Sequence, residues 1–375
     1  MKIADVIATL EQWAPPAFQE NYDNSGLILG SPDEDLKGIL ICLDVTEKVI
    51  GEAAAAGSNL IVSHHPLLFR PVSSITDGDH VGRTILSAIR HGIALYAIHT
   101  NLDNISAGVN HMICEKLGLH DGRVLSPMTG LLRKLITFVP ERHLDKVRQA
   151  VFEAGAGRIG NYDACSFNST GTGTFRAGEG TKPFVGTKGE LHEEPEVRLE
   201  TVFPAYLERD VIRAVIEAHP YEEVAYDVVR LENAHPRVGA GMVGALHEPM
   251  AVPAFLDHIA RSMRLEFIRH SGSFRKKIET VAVCGGSGSH LLEAAIGAGA
   301  QAFVTADIKY HRFFDADDRI LLADIGHYES ERFTIRLIHR FLTEKNAKFA
   351  PRLSKTVTNP IKYFPGHGRS KRKNN

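Results

Sequence analysis

Cysteine is scarce in this sequence. The 375 residues include only Cys42, Cys114, Cys165 and Cys284, and no two of them form a Cys-X-X-Cys motif. This spacing argues against a zinc ribbon, a thioredoxin-like motif or a disulfide scaffold, and it favours a reducing, cytoplasmic location. If the protein binds a metal, histidines and carboxylates must therefore supply the ligands.

Long apolar runs and an excess of charge are also missing. No stretch of 18 apolar residues occurs, so no transmembrane helix is predicted. The first helical stretch contains Asp5 and Glu11 and lacks the apolar core of a signal peptide. A formal net charge of −2 argues against a chain-wide basic surface for nucleic acid.

The length exceeds what one hydrophobic core usually accommodates, so we expect more than one domain. Residues 1–128 and 236–364 alternate buried-type strands with helices, which predicts an α/β body with mostly parallel sheets. Residues 129–235 follow a strand–helix–strand order twice, which is the ferredoxin-like order and predicts an inserted α+β domain. The basic segment 365–375 is predicted to be disordered.

Local patterns place the individual elements. Predicted strands of the body cover 39–43, 60–62, 93–98, 280–284, 302–305 and 320–324. Predicted helices of the body cover 2–12, 47–56, 83–91, 109–117, 252–263, 291–298 and 330–342. The insert has predicted strands at 134–139, 162–167, 198–203 and 224–231, predicted helices at 143–154 and 207–219, and a Gly/Thr-rich loop or long hairpin between its halves.

Histidine is abundant, with 19 residues, and two of them are adjacent. His64 and His65 follow the predicted strand at 60–62, at the end where open parallel sheets bind ligands. Both can face one site only if the chain is already turning, which Pro66 favours. The alternative, two polar loop residues with no ligand, stays open at this point.

Two further clusters follow predicted strands. Asp103 comes shortly after the strand at 93–98, although it could simply cap the next helix. His327 and Glu331 are four residues apart, where a helix places both on one face. An acidic residue favoured by the dipole at the start of a helix is the alternative interpretation of Glu331.

Taken together, the three clusters predict a metal centre. Mixed imidazole and carboxylate ligands suit Zn, Mn, Fe, Co or Ni. Five ligands exceed the usual three of a mononuclear catalytic zinc, so we expect two ions that share a carboxylate and an activated water. The predicted ligands are His64, His65, Asp103, His327 and Glu331.

A set of motifs in fixed order carries a resemblance to a known family. They resemble the signatures of the NIF3-like family, also called the DUF34 or GTP cyclohydrolase 1 type 2 homolog family, over about 1–128 and 238–364. The insert resembles the CutA- or PII-like domain of long members, through HPYEEVAYDV. The motifs of the body are NYDNSGLILG, LDVT, SHHPLLF, HTNLD, GGSGS, TADIKYH and DIGHYESE.

This resemblance implies a dinuclear metal centre on the same five residues and a toroidal homohexamer. It implies that Glu331 bridges two ions, with His65 and Asp103 on one and His64 and His327 on the other. As an enzyme the protein would be a metal-dependent hydrolase of GTP, opening the purine ring, or of a phosphoester. The alternative function is a non-enzymatic metal-binding scaffold or regulatory protein that acts through its insert.

Further roles are predicted for residues in and beside this centre. Glu331 and His99 are the predicted catalytic residues. His99, Asp307 and His311 are candidates to orient ligands or move protons. The GGSGS segment at 285–289 could cradle an anion, but a tight strand–helix turn is favoured because no Lys-Ser/Thr pair follows.

Overall fold

The structure is a computed structural model that describes residues 1–272 and 277–364. The chain divides into two compact units. Unit 1 contains Met1–Ser126 and Val238–Asn375, and unit 2 contains Pro127–Arg237. The tail predicted to be disordered, 365–375, lies outside the described residues. Among the described residues, no helix is both long and apolar enough to span a bilayer.

Strands are numbered in chain order over the described residues. They are β1 Gly26–Leu29, β2 Ile39–Cys42, β3 Leu60–Ser63, β4 Ala94–Ala97, β5 Leu119–Pro127, β6 Leu132–Pro140, β7 Phe167–Arg176, β8 Leu191–Pro204, β9 Tyr226–Leu231, β10 Gly239–Met250, β11 Arg269–His270, β12 Ile278–Val283, β13 Ala302–Thr305, β14 Leu321–Asp324 and β15 Arg352–Leu353.

Helices are numbered in the same way. They are α1 Ile3–Trp13, α2 Glu47–Ala55, α3 His80–His91, α4 Thr100–Asp103, α5 Val109–Leu117, α6 Leu144–Glu153, α7 Glu208–Ala218, α8 Val252–Met263, α9 Leu292–Gly297, α10 His327–Glu331 and α11 Thr334–Lys345. Capping follows the sequence: the side chain of Asp79 accepts from the amide of Gly82 at the start of α3, and Gly92 ends that helix in the left-handed region.

One sheet of unit 1 has the strand order β1-β4-β3-β2-β15. Strands β4, β3, β2 and β15 are mutually parallel, and β1 pairs antiparallel at the edge. The residues of β2, β3 and β4 are all buried, which explains their continuous apolar runs. The parallel strands bring the chain segments after β2, β3 and β4 to one edge of the sheet.

The second sheet of unit 1 has the order β11-β14-β13-β12-β10-β5. Strands β12, β13 and β14 are parallel, whereas β11 and β10 pair antiparallel with their neighbours. Both sheets are therefore mixed, with parallel strands inside and antiparallel strands towards the edges. The α/β prediction is confirmed in this coarser form.

The last helix differs from the prediction. The expected single helix at 330–342 is two helices, α10 and α11, separated by Arg332 and Phe333. At this break Arg332 donates to the backbone carbonyls of Met263 and Arg264, where α8 ends. Apolar spacing does not reveal the break, because both halves have helical spacing. His327 and Glu331 thus lie on a helix of their own.

Unit 2 is a four-stranded antiparallel sheet of order β7-β8-β6-β9. Helices α6 and α7 pack together against one face, and their apolar side chains form a core with alternate residues of β6 and β8. Those core residues include Leu135, Val139, Val147, Val151, Leu199, Phe203, Val211 and Val215.

One predicted strand of this unit is misplaced. The sequence predicts a strand at 162–167, but β7 begins only at Phe167 and runs through the Gly/Thr-rich stretch to Arg176. Within 162–166, Tyr162 makes an isolated bridge to Ile159. The long hairpin β7–β8 is the form that the Gly/Thr-rich stretch takes, because cross-strand pairing with β8 outweighs the low strand propensity of glycine.

Candidate metal centre

The five predicted ligands follow three parallel strands of unit 1. His64 and His65 come directly after β3, Asp103 ends α4 after β4, and His327 and Glu331 lie on α10 after β14. The chain turns after β3 and β4 lie together because these strands are parallel neighbours in one sheet, whereas β14 belongs to the other sheet of unit 1. The structure brings all five side chains together.

Glu331 lies at the middle of the group and is 2% exposed. Its Oε2 is 2.8 Å from Nε2 of His65 and 3.2 Å from Nε2 of His327. Its Oε1 faces the other way, 3.9 Å from Nε2 of His64. The two carboxylate oxygens therefore serve different imidazoles.

His64 and Asp103 form the other side of the group. Nε2 of His64 lies 3.6 Å from Oδ1 of Asp103. Both atoms are buried, and neither has a hydrogen-bond partner in the part of the chain that the structure describes. Buried polar atoms without partners are rare in folded proteins, so this pair fits a ligand that the two atoms would share. A divalent cation is such a ligand for an imidazole nitrogen and a carboxylate oxygen.

The opposite nitrogen of each imidazole is hydrogen-bonded to an oxygen acceptor. A carboxylate or a carbonyl can only accept, so Nδ1 keeps a proton, and Nε2 is the nitrogen that a metal would bind in place of a proton. The contacts are His64 Nδ1 to the carbonyl of Ile98 at 2.9 Å, His65 Nδ1 to Oδ1 of Asp44 at 2.7 Å, and His327 Nδ1 to Oδ2 of Asp307 at 2.6 Å.

His99 has the same arrangement beside the group. Its Nδ1 lies 2.8 Å from Oδ1 of Asp23, whose side chain is fully buried. The amide of Thr100 donates to the other oxygen of Asp23 at 3.0 Å. The His99 ring lies 5.3 Å from the His64 ring and contacts Phe69 edge-on at 5.6 Å. His99 thus borders the site.

The C-terminal part of unit 1 supports one of these contacts. Thr358 Oγ1 donates to Oδ2 of Asp44 at 2.5 Å, while the other oxygen of Asp44 holds His65. The preceding segment is fixed to α2, since Ser354 and Thr356 donate to the carboxylate of Glu52. The orientation of His65 therefore depends on residues near both ends of unit 1.

The electrostatics of the centre are those of a site crowded with carboxylates. Burial opposes the charged form of both imidazoles, but hydrogen bonds to carboxylates raise the pKa of His65 to about 9 and that of His327 to about 11. Burial raises the pKa of Asp103 to about 6. Burial also opposes ionisation of Glu331, but hydrogen bonds from the surrounding imidazoles hold its pKa well below the usual range.

Within residues 1–272 and 277–364, three sets of donors are close enough to hold an ion, with all ligand atoms of a set within 4.8 Å of one another. Glu331 belongs to two of them. Two of the sets place His64 with Asp103 and His65 with His327, whereas the third joins His64 with His65, so the pairing that the family resemblance implied stays a prediction. The sets are His64, His65 and His99; His65, His327 and Glu331; and His64, Asp103 and Glu331.

The sequence of the chain matches a known protein family. The sequence model of the Duf34/NIF3 family (NGG1p interacting factor 3) matches residues 1–360. The chain belongs to this family.

Relatives of this NIF3 family chain match it over most of its length. A GTP cyclohydrolase 1 type 2 homolog of Halalkalibacterium halodurans is 43% identical over 332 residues, covering 87% of this chain and 89% of the relative. A protein of the same name from Bacillus subtilis is 39% identical and covers 96% and 98%. The crystal structure of a Bacillus cereus protein related to NIF3 has a TM-score of 0.84 at 37% identity, covering 97% of this chain and 99% of that chain.

The GGSGS segment of the NIF3 signature has a structural role here. The amides of Gly285, Gly286 and Gly288 donate to side chains of Asn110, Ser330 and Thr305, respectively. These three N–H groups are thus engaged within the protein, which supports the tight-turn interpretation. Gly286 has a φ of +60°, and a Cβ there would collide with Oε1 of Glu331, so a glycine is needed beside the centre.

Sequence reasoning missed two of the supporting carboxylates. Asp44 follows β2 in the motif LDVT, and its signal was its position at the carboxyl end of a buried strand beside β3. Asp23 lies in the NYDNSG motif, and no regular spacing connects it with His99. Asp307 was anticipated and contacts His327. His311 packs with Tyr310 and Phe314 and is in none of the three donor sets.

Proposed function

We propose that this centre holds two divalent transition-metal ions and that the protein is a metal-dependent hydrolase. The observation that carries the proposal is the buried Glu331, whose Oε2 faces His65 and His327 while its Oε1 faces His64. A carboxylate with this orientation is suited to join two ions. The unpartnered atoms of His64 and Asp103 support the same conclusion.

The donor sets suggest how the ions are shared. His64 and Asp103 would hold one ion, His65 and His327 the other, and Glu331 both. Imidazole nitrogen with carboxylate oxygen favours Zn, Mn, Fe, Co or Ni. Two such ions, when bound, lower the pKa of a shared water and polarise the group that it attacks.

The chain itself orients and isolates this chemistry. Asp44 and Asp307 hold the rings of His65 and His327, so that both Nε2 atoms point at Glu331. The contact with Asp23 holds the Nδ1 proton of His99 and leaves Nε2 as the atom that could take up or deliver a proton. In this proposal His99 and Glu331 are the catalytic residues.

The substrate is proposed from the relatives and the chemistry together. Relatives that cover most of this chain carry the name GTP cyclohydrolase 1 type 2 homolog, which makes GTP and opening of its purine ring the first candidate. A phosphoester would use the same pair of ions and is the second. The homohexamer and the cytoplasmic location are part of the proposal as expectations from the family resemblance.

Purified protein tests this function directly. The protein is stripped with a chelator, reloaded with Zn, Mn, Fe, Co or Ni, and assayed with GTP and with bis(4-nitrophenyl) phosphate. We expect turnover with at least one ion, and we expect Glu331→Gln to abolish it. Glu329→Gln is the matched control, because Glu329 lies on the same helix but contacts Asn359 and is in none of the donor sets.

Two results would contradict the proposal. Equal turnover of Glu331→Gln and wild-type protein would show that the activity arises elsewhere. A protein that binds two ions but hydrolyses neither substrate, while a protein partner co-purifies, would favour the alternative of a non-enzymatic scaffold or regulatory protein.

A further inference from the structure

Unit 2 contains a cavity that the proposed hydrolase does not use. Its volume is about 610 Å³, within the usual range of small-molecule sites. It lies on the face of the hairpin β7–β8 that α6 and α7 leave uncovered. The residues 177–184 and the turn at Tyr221 complete its walls.

Aromatic side chains form much of the lining. Phe138, Phe175, Phe184 and Tyr221 all border the cavity. The Tyr221 ring lies 6.2 Å from Phe175 and 6.2 Å from Phe184, with the ring planes inclined by 56° and 48°. Rings inclined in this way present their faces in more than one direction, as sites for organic cations do.

A carboxylate stands among these rings. Tyr221 Oη donates to Oε1 of Glu196 at 2.8 Å. Among the residues that the structure describes, no ion-pair partner of Glu196 is found. Gly173 on the neighbouring strand makes room for this carboxylate, because a Cβ at that position would collide with it. Burial raises the pKa of Glu196, as expected of an acid whose charge lacks a counter-charge.

Among the described residues, neither of the two arginines that line the cavity forms an ion pair with Glu196. Arg198 pairs with Glu200 at 2.9 Å. Arg176, Glu222 and Glu223 also line the cavity, and all three are exposed. The interior of the cavity thus combines apolar rings with one carboxylate.

We propose that this cavity binds a small organic cation, an ammonium or amidinium group attached to an apolar body. The ammonium group would contact Glu196 and the faces of the aromatic rings, while the body fills the apolar remainder. The carboxylate of Glu196 would repel an anionic ligand, and a neutral ligand would leave this carboxylate without a counter-charge.

Three probes with one body and different head groups test the proposal. They are 4-phenylbutylamine, 4-phenylbutan-1-ol and 4-phenylbutyrate, titrated calorimetrically into the full-length protein near neutral pH. We expect the amine to bind roughly tenfold or more tightly than the alcohol, because a charge-assisted hydrogen bond and cation–π contacts add to the apolar contribution. The carboxylate is expected to bind most weakly. Hydrogen exchange should show protection of 170–176 by the amine.

Variants separate the charge from the apolar walls. Glu196→Gln should bring the affinity for the amine to within about threefold of that for the alcohol, and Phe184→Ala should weaken both ligands. Glu193→Gln is the matched control on the same strand, since Glu193 is exposed and does not line the cavity. Glu331→Gln should bind the amine as wild type does, which excludes binding of the amine at the metal centre.

Several results would overturn the proposal. These are equal affinity for amine and alcohol, an amine affinity that Glu196→Gln leaves unchanged, or no saturable binding of the amine at millimolar concentration. Thermal melts of each variant establish that it is folded, so a loss of binding by a folded Glu196→Gln protein is attributable to the lost charge.

Discussion

Two buried or half-buried glutamates, Glu331 in unit 1 and Glu196 in unit 2, have opposite electrostatic surroundings. Imidazoles surround Glu331 and hold its pKa well below the usual range. Glu196 has one phenolic hydroxyl, and burial raises its pKa. The comparison shows that partners can outweigh burial in setting the pKa of a carboxylate: the more deeply buried of the two is the one whose pKa is lowered.

The largest expected effect separates the two glutamates by metal content. Glu331→Gln should lower the bound metal from two ions per chain to one or none, because an amide cannot supply a negative charge to both. Glu196→Gln should leave the content unchanged. Elemental analysis of the protein after reloading and desalting measures both. Equal metal content in Glu331→Gln and wild type would refute the bridging role.

Buried and exposed residues of strand β8 in unit 2 offer the next contrast. Leu199 is fully buried between β8 and the helices of unit 2. Leu199→Ala should lower the free energy of unfolding of this unit by about 2–5 kcal/mol through the cavity it creates. Hydrogen exchange should accelerate in β6 and β8. Leu191→Ala, on the same strand but 62% exposed, is expected to change stability by only about 0.5 kcal/mol. A similar loss in both variants would contradict this packing.

A smaller effect tests the support of the imidazoles. Asp44→Asn should weaken metal binding by about 10–100-fold, since an amide no longer fixes the proton and orientation of His65. Competition with a chromophoric chelator measures the affinity. Asp35→Asn provides the control, because Asp35 is exposed and pairs with Lys2 away from the centre. Unchanged affinity in Asp44→Asn would show that His65 is oriented by other contacts.

The smallest expected effect is the pH dependence that Glu196 contributes. Its pKa in the folded protein is raised, so the folded state holds a proton that the unfolded state has already released. The stabilisation from this group is therefore present at pH below about 4.5, which is the ordinary pKa of a glutamate. It is lost as pH rises through the raised pKa of Glu196 in the folded state. The charge of Glu194 adds to this rise in the pKa of Glu196, whereas the hydrogen bond from Tyr221 opposes it.

Denaturant titrations at several pH values check this sign. Relative to wild type, Glu196→Gln should become more stable as pH rises through that window, because glutamine has no charge to accommodate. Identical pH profiles of the two proteins would mean that the carboxylate ionises as freely in the folded state as in the unfolded one.

Position after a buried strand was sufficient to predict five side chains of the centre. His64 and His65 follow β3 of one sheet, and His327 and Glu331 follow β14 of the other, so strand ends mark each cluster but only the packed structure brings the clusters together. Asp23 could not be predicted in this way. It contacts His99 from a loop 76 positions away, and only the packed structure defines that distance.

The fold was predictable to a similar degree and for a similar reason. The short buried strands of unit 1 were predictable because they are continuous apolar runs, as at 39–43. The break between α10 and α11 has no such signal in the sequence. It occurs where Arg332 donates hydrogen bonds to the end of α8, which is distant along the chain. The start of β7 at Phe167 depends on pairing with β8, which is a partner remote in sequence.

The hydrogen bond between Thr358 and Asp44 has a consequence for the synthesis of the protein. Because chains emerge from the ribosome beginning at the N-terminus, His64, His65 and Asp103 are available long before unit 2, and unit 2 before His327 and Glu331. The support of His65 is complete only when Thr358 has also emerged. Three of the five proposed ligands are therefore synthesised before unit 2, and the proposed centre can be complete only after the C-terminal part of unit 1 has been made.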